Sequence, residues 1–226
     1  MENAFYLQIY KFTNLQIYKF TNLQISLCFT VLFRRTMMLG DSNNITLLLG
    51  GVRSGKSDYA ENIAARSGLS VTYLATAKDL DAELNERVTH HQNSRPAHWK
   101  CIDVPVHLAD AIRANSRPDC CLIVDCLFMW IRNLIMEYNK FCTENSSNIK
   151  LGKTFEHEIK QLFDVIPDVQ GKLIFISNEV GMGSIPTTTF SKLLTNELGH
   201  INQQIAKVCS HVYLLVAGLP ITVKSR

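Results

Sequence analysis

The segment Gly50-Gly51-Val52-Arg53-Ser54-Gly55-Lys56-Ser57 constrains the fold more tightly than any other part of the chain. It matches the pattern G-x-x-x-x-G-K-[ST] and lies between an apolar run at 45–49 and a helical pattern at 57–66, the strand–loop–helix setting in which a phosphate loop works. Glycines let the backbone curl until its N–H groups converge on phosphate oxygens, and the helix N-terminus adds partial positive charge. Lys56 then reaches the outer phosphates and the Ser57 hydroxyl holds Mg²⁺. The competing reading is a glycine turn without a ligand, but strand and helix in register favour a nucleotide site.

Downstream, apolar strands alternate with helices. Strand-like runs occur at 71–75, at 120–124 before Asp125, at 173–177 and at 212–216, with helical patterns at 80–92, 106–114, 127–138 and 155–166. Tyr59, Ile63 and Ala60 are expected to face inward from the first helix. Phe190, Leu193, Leu194, Leu198, Ile201, Ile205 and Val208 make a stripe of helical period, and residues 139–153 read as a surface loop. Continuous apolar strands separated by helices specify an α/β fold, a mainly parallel sheet with helices on both faces.

Charge and cysteine usage exclude several classes. The net charge of +3 is confined to residues 1–36, where Lys11, Lys19, Arg34 and Arg35 face Glu2; the rest of the chain is balanced. Nothing there points to nucleic acid. No apolar run is long enough for a membrane span. The seven cysteines form no C-x-x-C pair, which fits buried free thiols in a reducing cytoplasm. At the N-terminus an octapeptide, Leu7 to Asn14, recurs without change as Leu15 to Asn22 and starts again at Leu23. Structural repeats are longer and diverge, so residues 1–37 are expected to be a non-native or disordered extension, with the functional domain spanning 38–226.

Three further segments carry chemistry. Asp125 closes an apolar strand; an acid there faces the phosphates and holds Mg²⁺, and can equally cap the next helix. In the polar helix, Leu80, Leu84, Val88 and His91 share the buried stripe, whereas His90 joins Glu86 and Arg87 on the polar face. Spacing alone leaves His90 as an ordinary surface histidine or a nucleophile that forms a phosphoramidate. Asn178-Glu179-Val180-Gly181-Met182-Gly183 follows a strand and reads equally as a substrate loop or a structural turn. The other histidines, His98, His107, His157, His200 and His211, read as ordinary side chains.

Together these segments resemble the bifunctional adenosylcobinamide kinase / adenosylcobinamide-phosphate guanylyltransferase family. The resemblance rests on GGVRSGKS at 50–57, YLATA at 73–77, RVTHHQNSRPAHW at 87–99, LIVDCLFMWIRNLI at 122–135, SNEVGMGSIP at 177–186, LGHINQQIA at 198–206 and VAGLPITVK at 216–224. It spans roughly residues 43–226. The histidine segment and the NEVGMG loop, in this order after a phosphate loop, are far more specific than that loop alone.

The resemblance implies a RecA-like P-loop NTPase sheet and an oligomer, commonly a trimer. It implies phosphorylation of adenosylcobinamide by ATP or GTP, then transfer of GMP from GTP through a covalent histidine onto adenosylcobinamide phosphate, with Mg²⁺ as cofactor and a cytoplasmic location. The family's nucleophile falls on His90, with Lys56 serving catalysis. Nucleotide contacts fall on Gly50, Gly51, Val52, Arg53, Ser54, Gly55, Lys56 and Ser57, on Ala75, Thr76 and Ala77, and on His91, Gln92, Asn93 and Ser94. Two acids complete the set: Asp125, and Asp103 where the family usually carries Glu. Ser57 and Asp125 are the implied metal ligands. Two rivals remain in view, a plain small-molecule kinase with His90 incidental and a nucleotide sensor without turnover.

Overall fold

A computed structural model describes residues 44–78, 96–139, 149, 151–183 and 186–225. The strands are β1 (Asn44–Gly50), β2 (Ser70–Ala75), β3 (Lys100–Asp103), β4 (Cys120–Asp125), β5 (Lys172–Asn178), β6 (His211–Val216) and β7 (Leu219–Ser225). The helices are α1 (Lys56–Ala65), α2 (Leu108–Asn115), α3 (Leu127–Tyr138), α4 (Lys153–Val165) and α5 (Thr189–Val208), with a 3-10 turn at Ile166–Asp168. The strands form one sheet in the order β3-β2-β4-β5-β1-β6-β7. Every pairing is parallel except the β6–β7 hairpin.

The apolar runs form strands because both faces of the sheet are covered. Side chains alternate between faces along a strand. Ile45, Leu47, Leu122, Val124, Leu173 and Phe175 join α2, α3, α4 and α5 in one core. Leu48, Cys121, Ile123, Ile174 and Ile176 join Ala60 and Ala64 of α1 in the other. Trp130 is fully buried on α3, and its indole N–H donates to the Val106 carbonyl at 2.6 Å, which satisfies the polar end of an otherwise apolar side chain.

The expected inward face of α1 packs on the second core, where Tyr59 and Ile63 lie against it beside Ala60 and Ala64. Ala60 and Ala64 are fully buried, whereas Tyr59 and Ile63 are half-buried. Small residues let the helix that starts in the phosphate loop lie close against the sheet. Two strands were not anticipated. β3 has four residues and little burial, and β7 is exposed along nearly its whole length, so neither shows the apolar run that marks an interior strand. The helix expected at 80–92 lies outside the described residues, as does most of 139–153.

Described cysteines are free thiols. Burial pushes Cys121 and Cys209 up to about 12, so they behave as small apolar side chains rather than nucleophiles.

Candidate active site

Parallel register gathers the site residues at the carboxyl edge of the sheet. Gly50 lies opposite Asn178 of β5 and Leu215 of β6. Ala75 lies opposite both Asp125 and Asp103. Four strand ends therefore deliver the phosphate loop, the 75–77 segment and both acids to one rim, the position at which open α/β sheets bind ligands.

The loop's shape depends on its glycines. Gly50 has φ +155°, and a Cβ there would stand 2.5 Å from Ser54 Oγ and 2.6 Å from the Leu215 carbonyl oxygen. Gly55, which precedes α1, has φ +88°; a Cβ on it would lie 2.9 Å from Gly218 Cα. Gly218 belongs to the two-residue β6–β7 turn, where Ala217 and Gly218 both have positive φ, the geometry that matches a twisted hairpin. Its N–H donates to the Ser54 carbonyl at 3.0 Å, and the Glu179 N–H donates to the Gly50 carbonyl at 3.0 Å. The loop is thus braced on one side by the hairpin and on the other by the segment after β5.

Lys56 is buried, and its Nζ donates back to the Gly51 carbonyl at 2.6 Å. Burial pulls its pKa below the ordinary lysine value, opposed by Cys126 and Asp125. A buried ammonium whose hydrogen-bond partner is a backbone carbonyl is suited to receive a phosphate, which would supply a counter-charge. Ser57 Oγ donates to Asp125 Oδ2 at 3.0 Å. A hydroxyl and a carboxylate side by side form an oxygen donor set suited to Mg²⁺, which takes few protein ligands and completes its shell with water and phosphate. The alternative of Asp125 as a helix cap is not taken up: the N-cap residue of α3 is Cys126, and no side chain caps that helix.

The 75–77 segment is pinned to β4. The Thr76 hydroxyl accepts from Cys126 N–H at 2.8 Å and donates to the Cys126 carbonyl at 2.8 Å. Its own N–H donates to the Asp125 carbonyl at 3.0 Å, and Asn133 Nδ2 donates to its carbonyl at 2.7 Å. Thr76 is fully buried, so its side chain fixes the rim. The Asp125–Cys126 peptide is cis. Burial and the neighbouring Asp125 push the Cys126 thiol up to about 12.

Gly51, Val52, Arg53 and Asp103 are exposed on the same edge. In the 178–183 segment, Glu179 Oε1 accepts from the Gly181 N–H at 2.7 Å, so this carboxylate closes its own turn. Asn202 of α5 steadies the strand before it, accepting from Ser177 Oγ at 2.6 Å and donating to the Asn178 carbonyl at 3.2 Å. His90, His91, Gln92, Asn93 and Ser94 lie outside the described residues. Sequence reasoning missed Tyr73, whose hydroxyl donates to Asp125 Oδ2. Its signal was a tyrosine two residues before Ala75 in a strand, hence on the face shared with Asp125. It also missed the β6–β7 turn, signalled by Ala217-Gly218 between two β-forming runs.

Fold and loop define a P-loop nucleotide-binding α/β protein. Residues 46–223 match the family described as cobinamide kinase / cobinamide phosphate guanyltransferase, and the chain belongs to that family of enzymes. It is 38% identical to the bifunctional adenosylcobalamin biosynthesis protein CobP of Pseudomonas aeruginosa over 178 residues, covering 79% of this chain and 96% of that protein. It is 31% identical to the bifunctional adenosylcobalamin biosynthesis protein CobU of Escherichia coli over 179 residues, covering 79% of this chain and 98% of the relative. The solved structure of the flagellar accessory protein FlaH from Methanocaldococcus jannaschii overlays with a TM-score of 0.43 at 13% identity, covering 82% of this chain and 80% of that one, a likeness too distant to add to the family match.

Proposed function

We propose that this enzyme phosphorylates adenosylcobinamide with ATP or GTP and then transfers GMP from GTP onto the new phosphate, giving adenosylcobinamide-GDP and pyrophosphate. The observation that carries the proposal is the Ser57–Asp125 hydrogen bond beneath the phosphate loop, in a chain matched to the family along 46–223.

In the kinase step the substrate hydroxyl oxygen attacks the γ-phosphorus and its proton passes to water. The γ-phosphoryl bond to the nucleotide breaks, and the charge on the phosphate oxygens is met by Lys56 and the loop N–H groups. Ser57 and Asp125 would hold Mg²⁺, which when bound neutralises charge on the triphosphate. In the transfer step a neutral His90 nitrogen attacks the α-phosphorus of GTP, an N–P bond forms and pyrophosphate leaves. A phosphate oxygen of the substrate then attacks the same phosphorus, and the N–P bond breaks. Loading of GMP weakens in acid as the imidazole protonates. Gly50 to Ser57, Ala75 to Ala77, His91 to Ser94, Asp103 and Asp125 make the nucleotide site in this reading.

The catalytic domain is taken as 38–226, with 1–37 an extension; Asn43–Arg226 forms one compact unit by itself. We place the enzyme in the cytoplasm as a homo-oligomer, a trimer by family resemblance. Among the described residues no helix is long and apolar enough to cross a membrane. One of the two edge strands, β7, exposes Leu219, Ile221 and Val223, apolar side chains that another copy would cover. Incubation with adenosylcobinamide, ATP, GTP and Mg²⁺ should yield adenosylcobinamide phosphate and then adenosylcobinamide-GDP. Absence of both products would overturn the reading, and the first alone would make this a plain kinase.

A further inference from the structure

We infer that Tyr73 is a positioning residue for the cation-binding carboxylate, an assignment that rests on the nucleotide site proposed above. Tyr73 is fully buried in β2. Its register partner on β4 is Ile123, and Ala75 is opposite Asp125. Alternation along parallel strands puts Tyr73, Ile123 and Asp125 on the same face of the sheet, the face that carries α1. From there the phenol donates to Asp125 Oδ2. Ser57 Oγ, in the first turn of α1, donates to the same oxygen at 3.0 Å.

Two donors on one oxygen fix the carboxylate's rotation. Both donors fall on Oδ2, which in the proposed site leaves Oδ1 for a cation or its water. Without the phenol, Ser57 Oγ alone holds that oxygen, and the carboxylate can turn away from the orientation that the two donors fix, while Lys56 keeps its bond to the Gly51 carbonyl. Packing alone does not call for the hydroxyl: phenylalanine has the same ring, and a buried phenol costs free energy unless it is hydrogen-bonded.

The test separates cation binding from nucleotide binding. The full chain and Tyr73→Phe are titrated with the α,β-methylene analogue of GTP, which cannot release GMP, first in EDTA and then with Mn²⁺ followed by electron paramagnetic resonance. Tyr73→Phe should bind the analogue in EDTA as the unaltered enzyme does, because Lys56 and the loop amides are untouched. Its half-saturating Mn²⁺ concentration should rise about ten-fold, the loss of one hydrogen bond to a charged group. p-Aminophenylalanine at position 73 restores a donor and should restore Mn²⁺ affinity; p-methylphenylalanine, of tyrosine's size without a donor, should not. This pair also decides the matter if Tyr73→Phe fails to fold. Unchanged Mn²⁺ affinity in the donor-free variants, or an equal loss of analogue binding in EDTA, would overturn the assignment. Failure of the unaltered enzyme to bind the analogue under either condition would instead defeat the nucleotide-site reading.

Discussion

Lys56 pairs burial with charge, a combination that desolvation disfavours and that a phosphate in the proposed nucleotide site would relieve. Its ammonium folds onto the Gly51 carbonyl and its pKa is drawn down by desolvation. Lys56→Ala should therefore cripple phosphorylation and guanylyl transfer together, since both bring phosphate charge into the same loop. The lost charge-assisted contact is worth about 1.5–3 kcal/mol in binding. Steady-state kinetics of each half-reaction checks this, and near-normal guanylyl transfer would mean two separate phosphate sites. At this scale the sequence was most legible where residue type and spacing are tied to backbone shape, as in Gly50 to Ser57. It was least legible where a side chain's partner comes from another strand: neither Tyr73 nor Thr76 declares in sequence that it bonds to the end of β4.

The phosphate loop is an element shaped by its neighbours as much as by its own glycines. Ser54 accepts from the Gly218 N–H, and Gly55 comes so close to Gly218 that a Cβ would stand 2.9 Å from its Cα. Gly55→Ala should lower stability by about 1–2 kcal/mol for the left-handed backbone alone, or roughly 2–8 °C in Tm. It should weaken nucleotide binding as well, because the loop must withdraw from the hairpin. Thermal denaturation with and without GTP measures both, and an unchanged Tm would show that the hairpin contact is dispensable. The interior strands β1, β2, β4 and β5 were legible because burial on both faces demands unbroken apolar runs. β3 and β7 were not, because edge strands with little burial leave no such trace. Their absence from the reading also hid the reason for Asp103's position, at the end of β3 opposite Ala75.

Across the whole molecule, the carboxyl edge of one sheet supplies a phosphate loop, a carboxylate beside a serine, and two braces from β5 and the β6–β7 turn. The octapeptide repeat lies outside the family match, which begins at residue 46. A chain beginning at Met38 should therefore fold and keep both activities, as circular dichroism and product assays would show; loss of folding or of nucleotide binding would tie the first 37 residues to the domain. The family and the fold were legible because the motifs occur in a fixed order along the chain, whereas the histidine's role came from resemblance rather than spacing. Incubation of the enzyme with GTP and Mg²⁺, followed by mass spectrometry and peptide mapping, tests that role directly. One GMP should be bound in an acid-labile, base-stable linkage on His90, lost in His90→Ala, kept in His91→Ala, with phosphorylation of adenosylcobinamide partly surviving His90→Ala. An adduct on His91, or none while the kinase step still runs, would contradict that role.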